Sequence, residues 1–213
     1  MSGERLRRAL IVDFGGVLTT NVFESFRDFC EAEGLDPDAV KRIFRERGEG
    51  LDLLRQLERG EIEVEEFSRR FGPLLGVRET DGMVERLFAG VQADERMVEA
   101  VRRVKESGRP TGLISNSWGG VSYDRVATDD LFDAIVSSAE EGMAKPEPAI
   151  YRLAAERLAV PPAACVFVDD FAPNVEAANA VGMRGILFYI DRGHDLRAML
   201  ADLGLAITPA DPA

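Results

Sequence analysis

Several residue types are scarce in this sequence, and each scarcity removes a class of function. There is one histidine, His194, and there are two cysteines, Cys30 and Cys165, in 213 residues. A lone histidine excludes a zinc centre built on imidazoles and leaves a Ser-His-Asp triad no base except a residue close to the C-terminus. Two thiols far apart in sequence do not make a disulfide framework; with no signal peptide in view, the expectation is buried structural thiols in a reducing, cytoplasmic setting. No apolar run approaches the ~20 residues of a membrane span, so no membrane partner is expected. Positive charge is also short: 26 Lys and Arg stand against 38 Asp and Glu, a formal charge of -12. That balance argues against a broad basic surface for nucleic acid. Lysine itself occurs only at Lys41, Lys105 and Lys145. Repeats and low-complexity tracts are absent as well. What remains is a chain with 46% hydrophobic and 30% charged residues, an ordinary globular composition. Its length exceeds the usual domain of ~100–150 residues, so one large domain or one domain with an insertion is expected.

The first strong segment runs from Arg8 through Ala9, Leu10, Ile11 and Val12 to Asp13, Phe14, Gly15 and Gly16. An unbroken apolar run that stops at Asp and two glycines reads as a strand buried on both faces reaching its loop. From about Val22 to Phe88 the spacing turns helical. Phe23, Phe26 and Phe29 share one face, followed by Ile43 and Phe44, then Leu53, Leu54 and Leu57, then Phe67 and Phe71. Gly34 is expected to close one helix, and Asp36 with Pro37 to cap and open the next. Beyond this stretch strands and helices alternate. Helices are expected near 94–107, 122–128, 148–159 and 174–181, and strands at 111–115, 134–137, 164–168 and 184–189, with a frayed tail over 208–213. Such alternation implies right-handed crossovers and a parallel sheet covered on both faces. The expected fold is therefore an α/β, doubly wound, Rossmann-like core formed by residues 1–19 and 91–213, with an all-helical insert over 20–90 after the first strand.

In an open α/β sheet, ligands bind beyond the carboxyl ends of the strands. Here those ends are polar: Asp13 after the first, Ser115 and Asn116 at the second, Lys145 following the third, Asp169 and Asp170 at the fourth. Three carboxylates converging at one edge raise one another's pKa unless a cation lies among them. Oxygen donors without histidine favour a hard cation such as Mg²⁺. Lys145 and the Ser115 hydroxyl add charge and hydrogen bonding for an anionic group, as a phosphoryl site requires. Taken singly, each also has a plainer reading. Asp13 suits a strand-end turn, one of Asp169 and Asp170 suits the cap of the helix near Pro173, and Asn174 suits that helix start.

Together, these four segments resemble the four ordered motifs of the haloacid dehalogenase superfamily of hydrolases. Ser117-Trp118 and the run from Lys145 to Tyr151 are most similar to the subgroup holding the N-terminal phosphatase domain of soluble epoxide hydrolases and small sugar-phosphate phosphatases. The resemblance spans Leu10 to Gly182. It implies Asp13 as a nucleophile forming an aspartyl-phosphate, and Mg²⁺ held by Asp13, the Gly15 carbonyl and Asp170, with Asp169 nearby. Ser115 would hydrogen-bond the transferring group and Lys145 would neutralise it and orient Asp13, alongside Asn116 and Trp118 in substrate binding, and the helical insert would be a cap that closes over a small phosphorylated substrate.

One departure stands out. Phosphatases of this superfamily usually carry a second Asp two residues after the first, to protonate the leaving group; here that residue is Gly15. General acid–base help is worth ~10²–10⁴ in rate. Three outcomes stay open: a phosphatase using a good leaving group or an acid from the cap, a hydrolase of another bond such as a 2-haloacid dehalogenase, or a phospho-ligand or partner-binding protein. The pair Asp169 and Asp170 favours the first, because the dehalogenases need no metal. The Lys41, Arg42, Arg45 and Arg47 cluster reads as a solvated helix face balanced by Glu46 and Glu49. His194 is given no role, and the oligomeric state, monomer or homodimer, is open.

Overall fold

The computed structural model describes residues 8–119 and 130–192 together with His194, Ala198 and Leu200. The expected helix at 122–128 and the tail at 208–213 lie outside these residues. The first apolar run forms β1 (Ala9–Val12), with all four residues buried. It is flanked by β2 (Thr111–Ser115) and β4 (Cys165–Asp169), and with β3 (Ala134–Ser137) and β5 (Arg184–Leu187) the described residues form a five-stranded sheet of order β3-β2-β1-β4-β5. Every pairing is parallel, with Val12 in register with Leu113 on one side and Val168 on the other. The chain winds outward from β1 in one direction and then in the other. The crevice between β1 and β4 is therefore the switch point where such folds bind ligands.

Alternation along β1 decides which layer each side chain joins. Leu10 and Val12 pack with Val98, Val101 and Val104 of α6 (Glu95–Glu106), whereas Ala9 and Ile11 pack with Ile150, Tyr151 and Ala154 of α8 (Pro148–Arg157). The Asp94 carboxylate caps α6 by accepting from the N–H groups of Arg96 and Met97, and Pro148 opens α8. The fourth strand ends one residue later than expected, and α9 (Ala172–Ala180) begins two residues earlier, with Phe171 at its N-cap position and Pro173 in its first turn.

Between β1 and α6 lie α1 (Val22–Ala32), α2 (Ala39–Arg45), α3 (Glu49–Glu58), α4 (Val64–Leu75) and α5 (Met83–Leu87). They share a core of their own containing Phe26, Phe29, Leu53, Phe67, Phe71 and Leu87. Gly34 follows α1 with φ +71°, the left-handed conformation that ends a helix. Phe23, expected on the same face as Phe26, is 37% exposed and meets Phe26 edge-on at its margin. The buried stripe of α1 runs through Ser25, Phe26, Phe29 and Cys30, and Phe23, in the first turn, lies just past its edge. The Asp36 and Pro37 expectation is also displaced. The helix starts at Ala39, with Asp36 accepting from the N–H of Asp38 in the turn before it. The two chain segments joining these helices to the sheet run side by side: Thr19 and Ala93 form an antiparallel bridge, and Thr20 N–H donates to the Gln92 carbonyl at 2.8 Å.

Candidate active site

The switch-point crevice brings four of the expected residues together. Asp13 follows the last residue of β1, its N–H donating to the Val168 carbonyl at 2.9 Å, which sets its side chain beside the end of β4. Lys145 Nζ lies 2.6 Å from Asp13 Oδ1 and 2.9 Å from Asp169 Oδ2, with its side chain 2% exposed. Asp169 is fully buried and engages both oxygens: Oδ1 accepts from Phe171 N–H, and both accept from Asn174 Nδ2 at 3.1 Å. Asn174 is thus both a first-turn residue of α9 and an Asp169 partner. Its carbonyl accepts from the Tyr151 hydroxyl at 3.0 Å. No Asp side chain caps α9; its N-cap position is Phe171.

Asp170 lies against the glycine turn after β1. A Cβ built on Gly16, whose φ is +75°, would sit 2.4 Å from Asp170 Oδ2, so only glycine allows both the turn and this approach. One oxygen each of Asp13, Asp169 and Asp170 lie within 4.8 Å of one another. The electrostatics register a shortage of positive charge. Burial raises Asp13 to about 6, opposed by Lys145 and reinforced by Asp169. Burial together with the Asp13 and Asp169 charges raises Asp170 to about 8. Burial alone would lower Lys145, but the two carboxylates beside it outweigh that and raise it. Three carboxylates facing one ammonium, all oxygen donors, fit a hard divalent cation.

Ser115 closes β2, buried and in register with Ser137. The next residue, Asn116, acts as a brace: its Oδ1 accepts from Lys145 N–H at 2.9 Å and its Nδ2 donates to the Lys145 carbonyl at 3.1 Å. The same Nδ2 donates to Glu58 Oε2 at 3.2 Å, the end of α3. Trp118 packs into the helical segment, its ring centroid 5.2 Å from Phe88 and 5.6 Å from Phe26 and Phe44. Arg42 pairs with Asp36 on an exposed face rather than with Glu46 or Glu49, and Arg45 and Arg47 are exposed. Burial raises both thiols, Cys165 to about 11, in keeping with structural roles. His194 Nδ1 accepts from Tyr189 N–H, just past the end of β5.

Sequence reading missed the contact between the two parts of the chain. Ser138 Oγ accepts from Ser117 N–H at 2.7 Å and donates to the Glu58 carbonyl, and Arg59 Nη2 pairs with Glu147 at 2.9 Å. Ser138 opens α7 (Ser138–Glu141), a short helix not expected between β3 and Lys145. A cavity of about 340 Å³ adjoins this seam, lined by Leu57, Gly60, Ile62, Ser117, Ser137 and Ala139.

Comparison with known proteins gives a consistent result. A model of the haloacid dehalogenase-like hydrolase family matches residues 7–182. Acyl-CoA dehydrogenase family member 10 of Mus musculus is 27% identical over 87% of the chain, and bifunctional epoxide hydrolase 2 of Sus scrofa 27% identical over 96%. The chain spans only 18% and 40% of those longer proteins. Phosphatase MT3486 of Mycobacterium tuberculosis is 29% identical over 96% of this chain and 98% of its own length. Among solved structures, a HAD family enzyme of Bacteroides thetaiotaomicron in complex with magnesium and inorganic phosphate has a TM-score of 0.68 at 21% identity, covering 90% of this chain and 98% of that one. A dehalogenase has a TM-score of 0.66 at 21% identity, covering 90% and 88%. At such identities these structures show the shared fold.

Proposed function

The chain belongs to the haloacid dehalogenase-like hydrolases, and from that premise we propose that it is a magnesium-dependent phosphatase acting on a small phosphorylated metabolite, with Asp13 as nucleophile. The observation that carries this reading is the Asp13 carboxylate at the end of the central strand, held 2.6 Å from a buried lysine and grouped with two further aspartates. Lys145 fixes one Asp13 oxygen, and the other attacks phosphorus. The phosphorus–oxygen bond to the leaving group breaks, giving an aspartyl-phosphate. Water then attacks that phosphorus, releasing inorganic phosphate and restoring Asp13.

Mg²⁺ would be held by Asp13, Asp170 and the Gly15 carbonyl, and would neutralise the phosphoryl oxygens. Asp169, with both oxygens engaged by Lys145, Asn174 and Phe171, stands behind as the residue that positions the lysine. Ser115 and Lys145 contact the phosphoryl group, while Asn116 and Trp118 shape the site from the seam with the helical segment, residues 20–90, which acts as the cap. The phosphatase named among the relatives and the magnesium and phosphate bound to a protein of the same fold support this reading.

Gly15 favours a second reading, a 2-haloacid dehalogenase, because a departing halide needs no proton. The acidic group beside Asp13 weighs against it. Phosphate and halide release from a substrate panel, with and without Mg²⁺, separates the two. Mg²⁺-dependent phosphate release that Asp13→Asn abolishes is the expected result. Chelator-insensitive halide release would establish the dehalogenase instead, and ligand-induced stabilisation without turnover would indicate a binding protein.

A further inference from the structure

We propose that Glu58, at the end of α3 in the helical segment, is the acid–base residue of this phosphatase, supplying the proton transfer for which position 15 has no side chain. The inference rests on the phosphatase reading above. An in-line displacement puts the leaving oxygen on the side of phosphorus away from Asp13, so a proton donor must approach from outside the sheet. The segment packed against that edge is the end of α3.

That end is firmly docked. A Cβ on Gly60, φ +67°, would meet the Ala139 carbonyl at 2.7 Å, Ser138 binds the Glu58 carbonyl, and Arg59 pairs with Glu147. The Glu58 side chain turns inward to Asn116, whose amide also holds the backbone of Lys145, whose ammonium in turn holds Asp13. Glu58, Asn116, Lys145 and Asp13 thus form one connected row. Because Asn116 Nδ2 donates to Oε2, the other oxygen, Oε1, is left to carry the proton. The charged groups acting on Glu58 are Lys145 and Asp13 across the crevice and Arg55 on its own helix. Burial raises its carboxyl to about 7, against the Asn116 hydrogen bond and Lys145 and with Asp13. A group poised near neutrality can serve in both directions.

In the first step Asp13 bonds to phosphorus, the bond to the leaving oxygen breaks, and that oxygen takes the proton from Glu58 Oε1 to leave as an alcohol. In the second, the Glu58 carboxylate takes a proton from the attacking water as its oxygen bonds to phosphorus, and the bond to Asp13 breaks. Glu58 and Asp13 return to their starting states, and one water has been consumed for each ester.

The test is the leaving-group dependence of kcat/KM in Glu58→Gln, which keeps an acceptor for Asn116 but carries no transferable proton. On a simple alkyl phosphate kcat/KM should fall by about 10²-fold or more, whereas on an aryl phosphate with a good leaving group it should change by no more than about 3-fold. Equal losses on both, or none on either, would overturn the assignment while leaving the phosphatase reading intact. Wild-type protein that releases no phosphate from either substrate would overturn both. A wild-type measurement needs no variant: kcat/KM on the alkyl ester should decline above about pH 7, and on the aryl ester it should not. Coincident profiles would again exclude Glu58.

Discussion

Lys145→Met removes the buried cation between Asp13 and Asp169 while keeping the length and apolar stem of the side chain. Two ion pairs, at 2.6 and 2.9 Å, disappear, and the partners left behind are the fully buried Asp169 and the mostly buried Asp13. Breaking a buried pair by truncating one partner costs about 3–5 kcal/mol. At ~2–4 °C per kcal/mol for a chain of this size, Tm should fall by about 6–20 °C in metal-free protein. The loss should depend on pH in a defined direction. With the ammonium gone, the carboxyls sit still further above the ordinary value of 3.8, so the folded variant binds more protons than its unfolded state in that window. Its stability therefore rises as pH falls, and its gap from the wild type narrows. Saturating Mg²⁺ should narrow the gap at pH 8, because the ion supplies positive charge to the same carboxylates. Thermal unfolding at pH 5 and pH 8, with chelator and with Mg²⁺, measures all of this. Equal Tm values at pH 8 in chelator, or a gap that widens on acidification, would refute the electrostatic account of the crevice.

Metal-free wild-type protein should itself lose stability as pH rises between about 4 and 8, because Asp13 and Asp170 are raised to about 6 and about 8; urea midpoints that stay level or rise over that range would contradict it. Gly16→Ala places a Cβ 2.4 Å from Asp170 Oδ2 at a positive φ, so Mg²⁺ affinity measured by calorimetry should weaken by about 10-fold or more, and unchanged affinity would remove Asp170 from the metal site. Asn174→Ala takes two hydrogen bonds from buried Asp169; at about 1.5–3 kcal/mol for a bond to a charged group, chemical denaturation should show a loss of at least about 2 kcal/mol, and a loss below about 0.5 kcal/mol would count against the brace.

The strand ends were legible in sequence because a parallel strand buried on both faces reads as a continuous apolar run, and whatever polar residue terminates it must sit at the sheet edge. Asp13, Ser115 and the Asp169–Asp170 pair could each be placed that way. Strand patterning alone put Lys145 only near the edge; its contact with Asp13 followed from the family resemblance, and its loop is set by the Asn116 amide across 29 residues. Glu58 carried no local signal at all. It is one acidic residue among 38, on an amphipathic helix, and becomes distinctive only through Asn116 and Ser138, which lie 58 and 80 residues away. Trp118 shows the same limit from the other side. Its place in the order of motifs was plain, but the Phe26, Phe44 and Phe88 rings around it come from three separate stretches of the helical segment. Helical periodicity reports which face is apolar, as for Phe26 and Phe29, and not what that face will meet.

The central claim is that Asp13 takes up the phosphoryl group. Acid-quenching the enzyme during turnover of an aryl phosphate with Mg²⁺, followed by peptide mass spectrometry, tests it most directly. The peptide containing Asp13 should gain the mass of one phosphoryl group, and the Asp13→Asn protein should show no gain. Phosphate release with no such adduct, or with the adduct on another residue, would contradict the account.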